Sequence, residues 1–246
     1  MKRSIVAAAL LFALSGGALA AGAPTYVASA IADPTRPKDD VAADPLRFPA
    51  ETIAFAGVKP GMVVAELFPG GGYFTRMLSD VVGPHGKIYG IENTGWKGAV
   101  EADQKTIAEL KTTNVVLDPE SFGHFALPQK VDLFWITQNY HDLHIAKYGA
   151  VDMADFNHRV FEALKPGGTY FILDHQANPG TTLDQIAVLH RIEKAQVIRE
   201  VTAAGFKLVA EGDFLHRTTD DHAKPIFDAS VQGHTDQYAL KFVKPR

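Results

Sequence analysis

The sequence predicts an α/β domain, a mostly parallel sheet with helices on both faces. Three observations carry that expectation. Met62 to Glu92 reads as strand, glycine turn, helix, second strand and an acidic tip. Val131–Thr137 (VDLFWIT) is a nearly unbroken apolar run, as expected of a central strand buried on both faces. Leu164-Lys165-Pro166-Gly167-Gly168 turns into a further apolar run, Thr169–Leu173.

The first twenty residues are expected to lie outside this fold. Lys2 and Arg3 precede an apolar run from Ile5 to Leu14, and Ala18-Leu19-Ala20 offers a small-x-small cleavage pattern. That is the layout of a secretory signal cleaved near Ala20–Ala21, so the mature protein is expected to be periplasmic or secreted. The run is short for a bilayer span, and no later stretch approaches ~20 apolar residues, so no stable membrane insertion is expected after cleavage. The chain has no cysteine and is indifferent to an oxidising compartment. Its net charge is −4 and no basic run follows the signal, which argues against nucleic acid as a partner. The expected organisation is 1–20 signal, 21–49 arm or linker, and 50–246 catalytic-type domain.

Residues 21–49 are rich in Ala, Asp and Pro, with Tyr26–Ala32 long enough for one or two helical turns. They fit either a solvated linker or an arm folded over a pocket, with Arg36 or Arg47 meeting a carboxylate. Ala50–Gly57 reads as a helix stopped by glycine. Met62–Leu67 is the first core strand, and Pro69-Gly70-Gly71-Gly72 reverses the chain, because glycine tolerates positive φ and places no Cβ against a ligand. Phe74–Val82 has helical spacing, and its free N–H groups would face the carboxyl end of the strand, where open α/β sheets bind ligands. Ile88–Ile91 is the second strand. Glu92 follows Gly72 by twenty residues, the distance at which a carboxylate accepts both hydroxyls of a ribose. Gly98–Lys111 is a helix, and Asn114–Leu117 a third strand ending at Asp118. After the fourth strand, Val131–Thr137, comes the polar loop Gln138-Asn139-Tyr140-His141-Asp142-Leu143-His144. Met153–Lys165 is a helix, Thr169–Leu173 the fifth strand, with Asp174-His175 at its tip. Leu183–Ala204 reads as one long helix stopped by Gly205, and Phe206–Glu211 and Gln237–Val243 as two final strands.

The glycine turn lacks the third glycine of G-x-G-x-x-G, since Thr75 stands there, and it holds no Lys or Arg for a phosphate. The segment Glu66-Leu67-Phe68-Pro69-Gly70-Gly71-Gly72 instead resembles motif I of the class I S-adenosylmethionine-dependent methyltransferases, (D/E)-x-G-x-G-x-G, with Phe68 in place of the first glycine. The phrase LKPGG before a strand recurs in the same superfamily. From Ala50 onward the chain looks most like its exported "predicted methyltransferase" group. The resemblance implies a Rossmann-like seven-stranded mixed sheet of order 3-2-1-4-5-7-6, with S-adenosyl-L-methionine as cofactor. It implies cofactor contacts from Glu66, Phe68, Gly70, Gly72, Tyr73, Glu92, Asp118 and Asn139. Ser121 is an alternative to Asp118 at the adenine.

The activity so implied is methyl transfer to a small-molecule acceptor by in-line displacement. Trp135 to Asp142 resembles the W-x-x-H-D-W stretch of small-molecule O-methyltransferases, which makes His141 the candidate general base with Asp142 beside it. Asp174-His175 is a second candidate base, Tyr73 or Tyr140 could face a sulfonium, and His190-Arg191 could meet an acidic acceptor. No metal ligand set is assigned in this reading. The alternative is a non-catalytic exported binding module, for a nucleoside-like ligand or for a divalent metal at His141, Asp142, His144, Asp174 and His175.

Overall fold

A computed structural model describes residues 22–96, 98–110, 112–120 and 124–246, without the side chains of 119 and 120. The expected signal segment and Ser121 lie outside the described residues. Seven strands form one sheet: β1 Val63–Leu67, β2 Lys87–Asn93, β3 Val115–Glu120, β4 Val131–Thr137, β5 Leu164–His175, β6 Lys207–Gly212 and β7 Gln237–Val243. Their order is β3-β2-β1-β4-β5-β7-β6. The first five strands are parallel, and β7 runs antiparallel between β5 and β6. This is the seven-stranded mixed sheet that the resemblance implied.

Side chains of successive residues in a strand point to opposite faces, and β4 shows what that does here. Leu133 and Trp135 join a core under α1 (Thr25–Ile31), α3 (Pro49–Ala56) and α4 (Tyr73–Val82), with Ile107 of α5 (Ala99–Glu109) at its margin. Phe134 and Ile136 join a second core under α6 (Met153–Ala163), α7 (Leu183–Leu189) and α8 (Lys194–Ala203). Both faces of the central strands are therefore buried, which is why they read as continuous apolar runs. The exchange from β1 to β4 next to β2 opens a crevice at the strands' carboxyl ends, the usual ligand position in such sheets.

Two expected elements differ. The segment Leu164–Gly168 is not a turn before the strand but part of β5. Leu164 pairs with Val131 and Thr169 with Leu133, and the register shift between these pairs is absorbed with Gly167 at φ 80°. The long helix Leu183–Ala204 is two helices. His190 adopts a left-handed φ of 54° and ends α7, Arg191 is fully buried, and Ile192 bridges to Gln176. The Arg191 guanidinium is held by Asp220 at 2.8 and 3.1 Å and by the carbonyls of Gln176 and Lys224. Apolar spacing continues across this break, so sequence periodicity reads through it.

Residues 25–47 include α1, packed against α4, and α2 (Lys38–Arg47), which reaches α4 through its acidic side chains. Arg36 makes a bidentate pair with Asp44 at 2.8 and 2.6 Å, Tyr73 donates to Asp44 at 2.7 Å, and Arg76 meets Asp40 at 2.9 Å. No described helix is long and apolar enough to cross a membrane.

Candidate active site

Two cavities adjoin at the carboxyl ends of β1 and β4. The smaller, about 310 Å³, lies over the glycine turn and is lined by Arg47, Glu66, Phe68, Gly70, Gly71 and Tyr73 among others. The larger, about 600 Å³, is lined by Trp96, His141, Asp142, His175, His190 and Phe227 among others. Gln138 and Asn139 belong to both walls. The loop after β4 thus forms the partition, with Gln138 held in a left-handed φ of 61° between Arg47 at 2.9 Å and Gln237 at 3.0 Å.

The turn is tight for a local reason. Gly72 caps α4 at φ 76°, and a Cβ there would come within 2.4 Å of Thr106 Cγ2. Phe68, also left-handed at φ 55°, stacks its ring on Trp96 at 5.2 Å. Glu66 is 2 % exposed, and its Oε2 has no hydrogen-bond partner. Burial pushes its carboxyl up to about 8, with nearby Thr75 opposing the rise, Asp103 adding to it and Arg47 opposing it. Glu92 stands at the end of β2 as expected, but its carboxyl takes the Asn93 N–H at 2.6 Å and faces Asp103. Burial and Asp103 raise Glu92 to about 8, and burial raises Asp103, with Glu92 and the backbone at Gly70 opposing that rise.

Not every expected cofactor contact reaches the cavities. Glu66, Phe68, Gly70, Tyr73 and Asn139 line them, and Gly72 shapes the turn, whereas Glu92 and the half-buried Asp118 line neither. The Tyr73 ring is covered by the Arg47 guanidinium at 4.1 Å, so that face already holds a cation. Tyr140 is fully buried elsewhere, donating to Glu200 and accepting from Asn157.

The histidines converge more tightly than sequence spacing shows. His141 Nδ1 is 2.7 Å from Asp174 Oδ1, and the His141 N–H donates to Asp174 Oδ2 at 2.8 Å. His141 Nε2 lies 3.3 Å from Asp142 Oδ1 and 3.3 Å from His190 Nδ1. His190 Nδ1 is 3.2 Å from the same Asp142 oxygen, while Asp142 Oδ2 accepts from Asn139 at 2.8 Å. Burial alone would lower His141, but the flanking Asp174 and Asp142 outweigh it and raise the imidazole to about 10. The expectation of a near-neutral histidine is therefore corrected: its two carboxylate neighbours hold the proton on it. Burial sends His175 the other way, to about 3, and its Nδ1 sits 2.8 Å from Thr235 Oγ1.

His144, the second histidine of the His-x-x-His spacing, faces away and pairs with Glu200 at 3.0 Å. His190 takes its place, a residue that the sequence put on a helix surface beside Arg191. The capping box of Thr182 and Gln185 marks where α7 starts. No glycine marks its end, so nothing in the sequence signals the break that aims His190 inward.

Comparison with known proteins agrees with this architecture. A family model described as "Methyltransferase domain" matches residues 58–230. No curated protein matches the sequence. Among solved structures, a SAM-dependent methyltransferase from Aquifex aeolicus superposes with a TM-score of 0.58 at 18 % identity, covering 83 % of this chain and 98 % of that one. CrArsM, an arsenic(III) S-adenosylmethionine methyltransferase from Chlamydomonas reinhardtii, gives 0.58 at 16 % identity over 91 % and 74 % of the two chains. The glycopeptide N-methyltransferase MtfA, solved with S-adenosylmethionine, gives 0.53 at 17 % identity over 80 % and 87 %. At such identities the likeness speaks for the fold; the family model spans most of the chain, and the chain belongs to the methyltransferase-domain family.

Proposed function

We propose that the protein uses S-adenosylmethionine to methylate a small molecule seated in the larger cavity. The carrying observation is the pair of adjoining cavities that share Gln138 and Asn139, one over the glycine turn and one over the His141 cluster. The turn fits the cofactor's charge. Glu66, Glu92 and Asp103 place three buried carboxyls around it, and Glu66 Oε2 has no hydrogen-bond partner. A ligand carrying a sulfonium and an ammonium answers that excess of acid. Glu66, Gly70, Gly71 and Asn139 would hold it, and when bound it supplies a methyl group on a sulfonium sulfur.

The chain's own contribution is positioning and proton handling. Asn139 touches both compartments and anchors Asp142, so it fixes the acceptor wall relative to the cofactor wall. Asp174 orients His141 and directs Nε2 to the cluster facing the larger cavity, where the imidazole must first release the proton held on it before it can take one from an acceptor. Trp96, Tyr148, Ile226 and Phe227 give that cavity an apolar rim suited to an organic acceptor. Export rests on residues 1–20 and is proposed on the sequence pattern alone; mass spectrometry of the secreted or periplasmic protein should show a mature terminus at Ala21.

Thermal unfolding with and without S-adenosylmethionine and S-adenosylhomocysteine tests the cofactor. Ligand at a hundred times its Kd adds ~2.7 kcal/mol, a shift of several degrees. A folded sample that shifts with neither ligand would overturn the proposal.

A further inference from the structure

We infer that His141 Nε2, Asp142 Oδ1 and His190 Nδ1 form a site for one divalent transition-metal cation at the floor of the larger cavity. The three atoms are mutually 3.2–3.3 Å apart. An ion about 2.1 Å from each would sit about 0.9 Å off their plane, with ligand–metal–ligand angles of about 100°. Those angles lie between a face of an octahedron and three corners of a tetrahedron, so the three atoms need not move apart, and the proton held on His141 Nε2 leaves to solvent as the ion binds. All three residues are buried, and their donor atoms are the one such grouping among the described residues.

A second observation concerns the carboxylate corner of the triangle. Asp142 Oδ1 is buried and makes no well-formed hydrogen bond: its neighbours are the two ring nitrogens at 3.2–3.3 Å, whereas Asn139 donates to its sister oxygen at 2.8 Å. A carboxylate oxygen left without a hydrogen bond in a buried site calls for an explanation, and an ion supplies one. The surroundings are those of a metal site rather than of three side chains that merely meet. His141 gives its other ring nitrogen to Asp174 at 2.7 Å, which fixes the ring so that Nε2 points to the triad. Two imidazoles and one carboxylate, with further positions open to the cavity, suit zinc, iron, cobalt or nickel better than calcium or magnesium.

The ion-binding claim stands without the methyl-transfer reading; only its consequence rests on that reading. With the ion in place, an acceptor oxygen or nitrogen entering the cavity completes the coordination shell. His141 then acts as a ligand, and the proton-handling role given to it above passes to the ion.

The test uses the full-length mature protein, tag-free and stripped with EDTA, titrated with Co²⁺ and Zn²⁺ by calorimetry and visible absorption. One ion per chain and a cobalt d–d band are expected. His190→Gln and Asp142→Asn should each weaken binding by at least about a hundredfold, and Asp174→Asn by roughly ten- to a hundredfold. His144→Gln should leave it unchanged. Near-UV circular dichroism identifies which variants are folded, and either of the first two suffices. No uptake of either ion by folded wild type, or wild-type affinity in a folded His190→Gln or Asp142→Asn, would overturn the inference. S-adenosylmethionine binding is scored separately by thermal shift, so failure of the cofactor proposal and failure of the metal site appear in different columns of data.

Discussion

Replacing Glu66 by Gln should make the protein more stable, and by an amount that grows with pH. The carboxyl is held at about 8 in the fold against 4.5 in an unfolded chain. Between those values the folded state keeps a proton that the unfolded state has released, so the unfolded state binds fewer protons and stability falls as pH rises. Each pH unit in that window costs about 1.4 kcal/mol per group, and the fully developed penalty approaches roughly 5 kcal/mol by pH 8. Glutamine imitates the neutral carboxyl and does not titrate. Urea unfolding of both proteins at pH 5.5, 6.5 and 7.5 should therefore give a difference that widens by about 2.7 kcal/mol across the series in favour of the variant. Glu92 and Asp103 impose a similar slope on both proteins, and it cancels in the comparison. A difference independent of pH would refute the argument, because Glu66 would then be ionised in the fold.

Three further outcomes are expected. S-adenosylmethionine should bind wild type more tightly as pH rises from 6 to 8, because a cationic ligand favours ionised Glu66 and Glu92; calorimetry at three pH values checks the sign. His141→Ala should fold and bind the cofactor while turnover falls by about 10²-fold or more, measured as S-adenosylhomocysteine release once an acceptor is known. Asp44→Ala strands the buried Arg36 guanidinium and the Tyr73 hydroxyl, and should cost about 3 kcal/mol or more in chemical unfolding.

The strands were legible because burial on both faces leaves a signature independent of what they pack against: Val131–Thr137 is apolar at nearly every position. The positions of His141, Asp174 and His175 were legible too, since each lies at or just beyond the carboxyl end of a strand, where ligands bind. Their mutual geometry was not. His141 meets His190 only because the chain breaks after Leu189, and Arg191 and Asp220, twenty-nine positions apart, hold that break. A long-range ion pair leaves no local periodicity. Residues 21–49 were ambiguous for the same reason: Asp44 and Asp40 find their partners on α4, at Tyr73 and Arg76. The acids around the glycine turn were read as ligand-binding groups one at a time. The crowding of Glu92 against Asp103 needs three dimensions to be seen.

Arg47 bears on how the molecule assembles. It reaches ninety-one positions along the chain to Gln138, and the neighbouring Leu46 carbonyl accepts from Arg217, one hundred and seventy-one positions away. Loops of that length close late, because their entropy must be met before the contact rewards it. The wall between the two cavities is thus completed by an early part of the chain joining some of the latest. A ribosome, which makes the protein from its N-terminus, delivers that piece first, and it must wait for the rest. Trimming the N-terminal arm would therefore remove a closing step of folding, and with it one side of the site, from a protein whose sheet could still form.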